Sequence, residues 1–211
     1  MSIIREKLSS NKIKERIVWA MMLFFLVFIS VVIISYFLLP DGFLKNKNPA
    51  QNWNPSNNTL ILTLQIFLYN LISVIVIFLA SLFSSKKKDE KNYLSVGYTV
   101  FYTLISINAI VLGTWSFSVE SIAVSLLDRI VNLFDLLHKA ALWEMLGQLL
   151  ITCALAQISI VKSSGLNTIK SNFKEMKLEK SEKIILVTGI IFMLIGAIVE
   201  SVAINNIYIC Y

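Results

Sequence analysis

The sequence predicts an all-α, polytopic membrane protein with five transmembrane helices and one amphipathic helix that lies at the outer interface or enters it as a re-entrant segment. Three observations carry that prediction. Of the 211 residues, 56% are hydrophobic and only 15% charged, with a mean hydropathy of +0.73, more apolar surface than a water-soluble domain can bury. The charges gather in short blocks between apolar runs of about 20 residues, the length that crosses roughly 30 Å of hydrocarbon. Those runs are continuous in Leu, Ile, Val and Phe, without the apolar–polar alternation of barrel strands.

The elements follow in order. Residues 1–16 form a basic cytoplasmic segment. The first span, Ile17 to Leu39, is too long for a secretory signal and has no small-residue cleavage pattern behind it, so it is read as a retained helix. The connection from Pro40 to Asn58, rich in Asn and Pro, is a surface loop with Trp53 near headgroups. The second span runs from Thr59 to Phe83 and the third from Leu94 to Gly113. Ser121, Ser125, Asp128, Asn132, Asp135 and Lys139 then recur every three or four residues, the polar stripe of an amphipathic helix. The fourth span covers Phe134 to Val161 and the fifth Ile184 to about Asn205. Residues 17–205 are thus one membrane domain, and 206–211 an extracytoplasmic tail.

Charge orients the bundle. Fifteen of the 19 Lys and Arg residues fall before the first span, between the second and third, or between the fourth and fifth. The positive-inside rule puts the N-terminus in the cytoplasm and the C-terminus outside a plasma membrane, consistent with an odd number of spans. The net charge of +6 is explained by this flanking pattern, and no aromatic-interleaved basic groove points to nucleic acid. Cys153 and Cys210 match no metal or redox spacing and are expected as free thiols.

Function is sought among polar residues that the apolar spans carry at a cost of about 2.5–3.5 kcal/mol each. His138, the one histidine, lies about 6 Å below the outer end of the fourth span, Glu144 about 15 Å below it, and Glu200 about 8 Å below the outer end of the fifth. Asn70 and Asn108 reach similar depth on the second and third spans, and Gln148 shares a face with Glu144; Asp135 stands at the rim. His138 and Glu144, six residues apart, are about 120° apart on a straight helix and do not share a face. Three readings remain open: neutral carboxyls serving as interhelical glue, a substrate, ion or proton site in an outer cavity, and catalysis. For catalysis, Glu144, Glu200 and His138 could ligate a divalent metal that activates water, or Glu144 could act as general base. No HExxH, GxSxG or paired-aspartate protease motif supports an enzyme.

In order and depth these positions resemble the stage II sporulation protein M family, multi-span bacterial and archaeal membrane proteins that include homologues encoded beside circular bacteriocins. The resemblance rests on Tyr69-Asn70 in the second span, Asn108 through Gly113 in the third, His138 and Glu144 at the start of the fourth, and Ala197 through Glu200 in the last. It covers roughly residues 59–203. The chain departs from the family in carrying Lys139 after the histidine, where Gly is usual, and in the six-residue His–Glu spacing. The resemblance implies a non-enzymatic membrane component of an envelope process. Its contexts are the sporulation engulfment machinery, or the maturation, export or immunity of a circular bacteriocin. The implied partners are the lipid bilayer, other envelope proteins and a hydrophobic peptide precursor. The alternative is an intramembrane, metal-dependent peptide-processing or cyclising enzyme. A transporter is disfavoured by the lack of an inverted repeat, an option that oligomerisation would restore.

Overall fold

The computed structural model describes residues 2–45, 47, 56–87, 90, 92–116, 125–132, 137–138, 141–165, 167–172 and 176–209, with backbone alone for residue 2 and residues 206–209. It is mostly helical. A short α1 (Ser2–Leu8) leads into α2 (Ile13–Leu38), followed by α3 (Thr59–Ser81), α4 (Gly97–Gly113), the six-residue α5 (Leu126–Val131), α6 (Leu142–Leu155) and α7 (Lys180–Ile209). Four short strands accompany them: β1 (Phe83–Lys86), β2 (Leu94–Ser95), β3 (Val161–Ser164) and β4 (Asn167–Lys170).

The helices α2, α3 and α7 are long and apolar enough to cross a membrane. On them, side chains such as Leu26, Leu60 and Leu68 are 64%, 76% and 59% exposed, too large an apolar surface to face water. The other two apolar helices are shorter, α4 rising about 26 Å and α6 about 21 Å, each less than a full hydrocarbon thickness. The expected spans were too long at their ends. Leu94 and Ser95 belong to β2, Phe83 to β1 and Val161 to β3. An apolar run alone does not separate a helix from the start of a buried strand.

The order of burial follows helical periodicity. Arg16, Ala20, Phe24, Phe28 and Val32 recur every four residues down the inner face of α2. Helix α6 is central: twelve of its residues are buried, and α2, α3, α4 and α7 surround it. Its tightest neighbour is α7, where a Cβ on Gly147 would lie 2.6 Å from the Gly189 carbonyl oxygen. Only paired glycines let the two backbones come this close, the small-residue packing that replaces hydrophobic driving force inside a membrane.

The sheet, ordered β2-β1-β3-β4, was not foreseen. Its centre is a parallel pairing of β1 with β3, Ser84 opposite Lys162, between segments that leave α3 and α6 at the same end of the bundle. Helix α1 meets β2 there as well. At the opposite end the Gly42 N–H donates to the Thr114 carbonyl (2.6 Å) and the Leu44 N–H to Ser116 Oγ (3.0 Å). The five apolar helices therefore alternate in direction, and the described members of the three basic blocks share the sheet end.

The expected amphipathic helix is described only in part. Ser121, Asp135 and Lys139 lie outside the described residues, while Ser125, Asp128 and Asn132 are exposed along α5. Arg129 turns inward and is 2% exposed. It stacks on the Tyr36 and Trp115 rings, 4.8 and 5.0 Å from their centroids, and donates to the Leu112 and Gly113 carbonyls that end α4. Those carbonyls form the negative pole of the helix, so a cation is favoured there. Trp115 itself takes the left-handed φ of 52° at the residue that follows the α4 cap, with Ser116 N–H donating to Val111 O (2.8 Å). A glycine usually fills this position, and the strain is held by the ring's packing on Arg129.

Candidate functional site

Glu144 sits in the first turn of α6, where the exposed backbone N–H dipoles favour a carboxylate, and is 6% exposed. Asn70, half-buried on α3, stands in hydrogen-bonding reach of that carboxylate, and Glu200 on α7 is near enough for the two acids to interact electrostatically. Glu144 Oε1 is buried with no hydrogen-bond partner of its own. Gly196, one turn before Glu200, makes this approach feasible. A Cβ there would lie 2.6 Å from Glu144 Cγ, so any larger residue would occupy the space the glutamate uses.

Asn70, Glu144 and Glu200 are thus brought together by three helices. Gln148 continues the Glu144 face of α6 one turn deeper and is 5% exposed. Asn108, half-buried on α4, takes no part in these bonds, and Asp135 lies outside the described residues. His138 does not join the acids. Its Nδ1 accepts from Trp143 Nε1–H at 3.0 Å, and the Trp143 ring packs on Phe192 of α7. Among the described residues no three His, Cys, Asp or Glu side chains are grouped as a metal ion would need. His138 lies outside α6, which begins at Leu142 after a non-helical Ala141 (φ −159°), so His138 and Glu144 do not share one straight helix.

Two further polar groups were not foreseen. A ladder ties α3 to α7 beside the acids: Thr63 Oγ1 and Ser201 Oγ lie 2.7 Å apart, and Asn205 Nδ2 donates to Thr59 Oγ1 at 2.8 Å. The signal was present as small polar residues four apart on each helix, Thr59 with Thr63 and Ser201 with Asn205. At the sheet end, Arg16 and Glu182 pair at 2.5 Å, 0% and 4% exposed. Arg16 Nε and Nη1 are buried without partners. Tyr98 and Cys153, both buried, lie within electrostatic reach of that guanidinium and 3.7 Å from each other through Oη and Sγ. Arg16 had been counted as a loop charge, although its spacing of four from Ala20 places it on the buried face of α2.

No family model, curated protein or solved structure matches the chain.

Proposed function

We propose that this is a five-helix plasma-membrane protein, N-terminus in the cytoplasm and C-terminus outside, acting as a non-enzymatic component of a cell-envelope process. The role is of the kind that the resemblance to stage II sporulation protein M implies. The observation that carries the reading is the meeting of Asn70, Glu144 and Glu200 with one acceptor oxygen, Glu144 Oε1, unused in a buried place. A buried acceptor without a donor is costly, so a donor from a partner helix or hydrophobic peptide is the natural complement. In this reading α4 and α6 complete the five spans, their short helices extended through the membrane by the segments that flank them.

The adjacency of two carboxyl groups also suits acid–base chemistry. A peptide-processing or cyclising enzyme using Glu144 and Glu200, with His138 and a divalent metal as further candidates, is therefore the second reading.

One experiment separates them. A photo-crosslinking amino acid is placed at Tyr69 and at Ile198 in the native host, in otherwise wild-type, Glu144→Gln and Glu200→Gln backgrounds. The scaffold reading expects a discrete adduct in the wild type that both substitutions remove while membrane insertion persists. Purified protein that by itself cleaves or cyclises a hydrophobic peptide, with Glu144→Gln abolishing the reaction, would establish the second reading instead. Neighbouring genes supply the context: a short cationic hydrophobic precursor points to a bacteriocin, engulfment components to sporulation.

A further inference from the structure

The polar residues of α6 form a row. Glu144, Gln148 and Thr152 follow at steps of four and are 6%, 5% and 0% exposed, on a helix otherwise built of Leu, Ile, Met, Ala and Gly with Trp143 and Cys153. Each step of four turns the row by about 40°, so it winds slowly around the helix instead of scattering. The next position in the row is Ala156, and Ala156 lines a polar cavity of about 130 Å³ at the sheet end, with Ser9, Asn11, Asn92, Ser159 and Lys162. The row therefore leads from the carboxyl pair to a cavity with room for several water molecules, a distance of about 18 Å along the helix.

We propose that this row is a proton path, through which the protein lets protons cross between the Glu144–Glu200 pair and the sheet-end cavity. An aliphatic side chain at 148 or 152 would fill the same space at less cost, as it does at the neighbouring positions. Since an amide does not itself pass a proton on, the path requires one or two water molecules across each step of about 6 Å, which Gln148 and Thr152 would orient. Thr152 Oγ1 donates to the Gln148 carbonyl at 2.7 Å, which leaves its lone pairs available to accept from water.

The titratable neighbours are arranged to suit this path. Glu200 of α7 and the neutral Asn70 of α3 face Glu144. Arg16 of α2, Glu182 of α7, Tyr98 of α4 and Cys153 of α6 itself gather at the sheet end, with Cys153 about 100° around the helix from Thr152. Tyr102 of α4 donates to the Ala20 carbonyl at 3.0 Å and is engaged there. The fixed positive charge of Arg16 at the sheet end is paired with Glu182. The step itself is proton transfer alone: a carboxyl O–H breaks, a water oxygen takes the proton, and the carboxylate is reprotonated from the opposite side.

The test uses the full chain in liposomes loaded with a pH-sensitive dye, with an inward-negative potassium diffusion potential set by valinomycin. Wild-type vesicles are expected to acidify about tenfold faster than protein-free vesicles. Gln148→Leu and the isosteric Thr152→Val should each slow this about tenfold, Glu144→Gln should abolish it, and Leu149→Ile, off the row, should leave it unchanged. Wild-type vesicles no faster than protein-free ones, or Thr152→Val conducting at the wild-type rate, would overturn the proposal. Thr152→Val keeps the test decisive even where Gln148→Leu fails to fold.

Discussion

Replacing Gly147 by Ala tests the α6–α7 contact on which the carboxyl pair depends. The added Cβ would lie 2.6 Å from the Gly189 carbonyl oxygen, 2.6 Å from Met193 Cγ and 3.0 Å from the Met193 backbone nitrogen. Two opposing terms decide the outcome. Alanine in place of glycine favours the helix by about 1 kcal/mol, while overfilling a packed interior costs about 1–3 kcal/mol. Two of the three obstructing atoms are backbone, so the clash is not relieved by a rotamer change, and α7 must move away along its length. A separation of about 0.5–1 Å forfeits a quarter to a half of each dispersion contact across the interface. The cost therefore falls in the upper part of its range, and the net expectation is a loss of about 1–2 kcal/mol. Gly189→Ala meets the same gap, its Cβ 2.7 Å from the Gly147 carbonyl oxygen and 2.7 Å from Ile151 Cγ1. Once one alanine has parted the helices, the second costs less, so the double variant should lose less than the sum. The measurement is reversible denaturation in mixed detergent micelles, followed by tryptophan fluorescence and far-UV circular dichroism. A gain in stability equal to the helix-propensity term, or strictly additive losses, would show that the two helices do not meet glycine to glycine.

Glu182→Leu should cost about 3–5 kcal/mol in the same assay because it strands the buried Arg16 charge, and Arg16→Met with Glu182→Leu should recover most of that loss; equal losses in both would refute a desolvated pair. Arg129→Lys should fail to replace arginine, at a cost of about 2 kcal/mol and with faster proteolysis near residue 114, because an ammonium cannot stack on both Tyr36 and Trp115 while reaching two carbonyls. Arg5 donates to both Glu90 oxygens at 2.5 and 3.0 Å, and that hydrogen bonding holds the Glu90 carboxyl below its usual 4.5. Its folded-state value being depressed, its stabilisation is full above 4.5 and is lost as pH falls through the lower folded value. Glu90→Gln should therefore cost up to about 1 kcal/mol at neutral pH and nothing in strong acid, a pH difference that denaturation at the two conditions reads directly.

Much of the molecule was legible in the order of its residues. Apolar runs located five helices, and the basic blocks grouped the right connections at one end, since both signals are local and survive any arrangement of helices. Glu144, Glu200 and Asn70 could be singled out because a polar group in hydrocarbon is expensive wherever it sits. Their order along helices of alternating direction also set them at a similar level of the bundle. The hydrogen bond from Trp143 to His138 carried no signal in the sequence, because it depends on the break in the helix just before Leu142.

The sequence by itself determined that the chain needs an apolar surrounding, where its helices run, and which side chains must be paid for by a partner. Tertiary structure alone decided the rest. The β1–β3 pairing joins segments 78 residues apart whose Ser- and Lys-rich composition has no distinguishing period. Arg16 changed from a loop charge to a buried one because Glu182, far away in the chain, came to meet it. The central place of α6, and with it the burial of the row from Glu144 to Ala156, exists only because four helices close around it. Local sequence fixes what a residue costs to bury, but which residue lies opposite is a property of packing, where glycines and hydroxyls distant in sequence set the distance of approach.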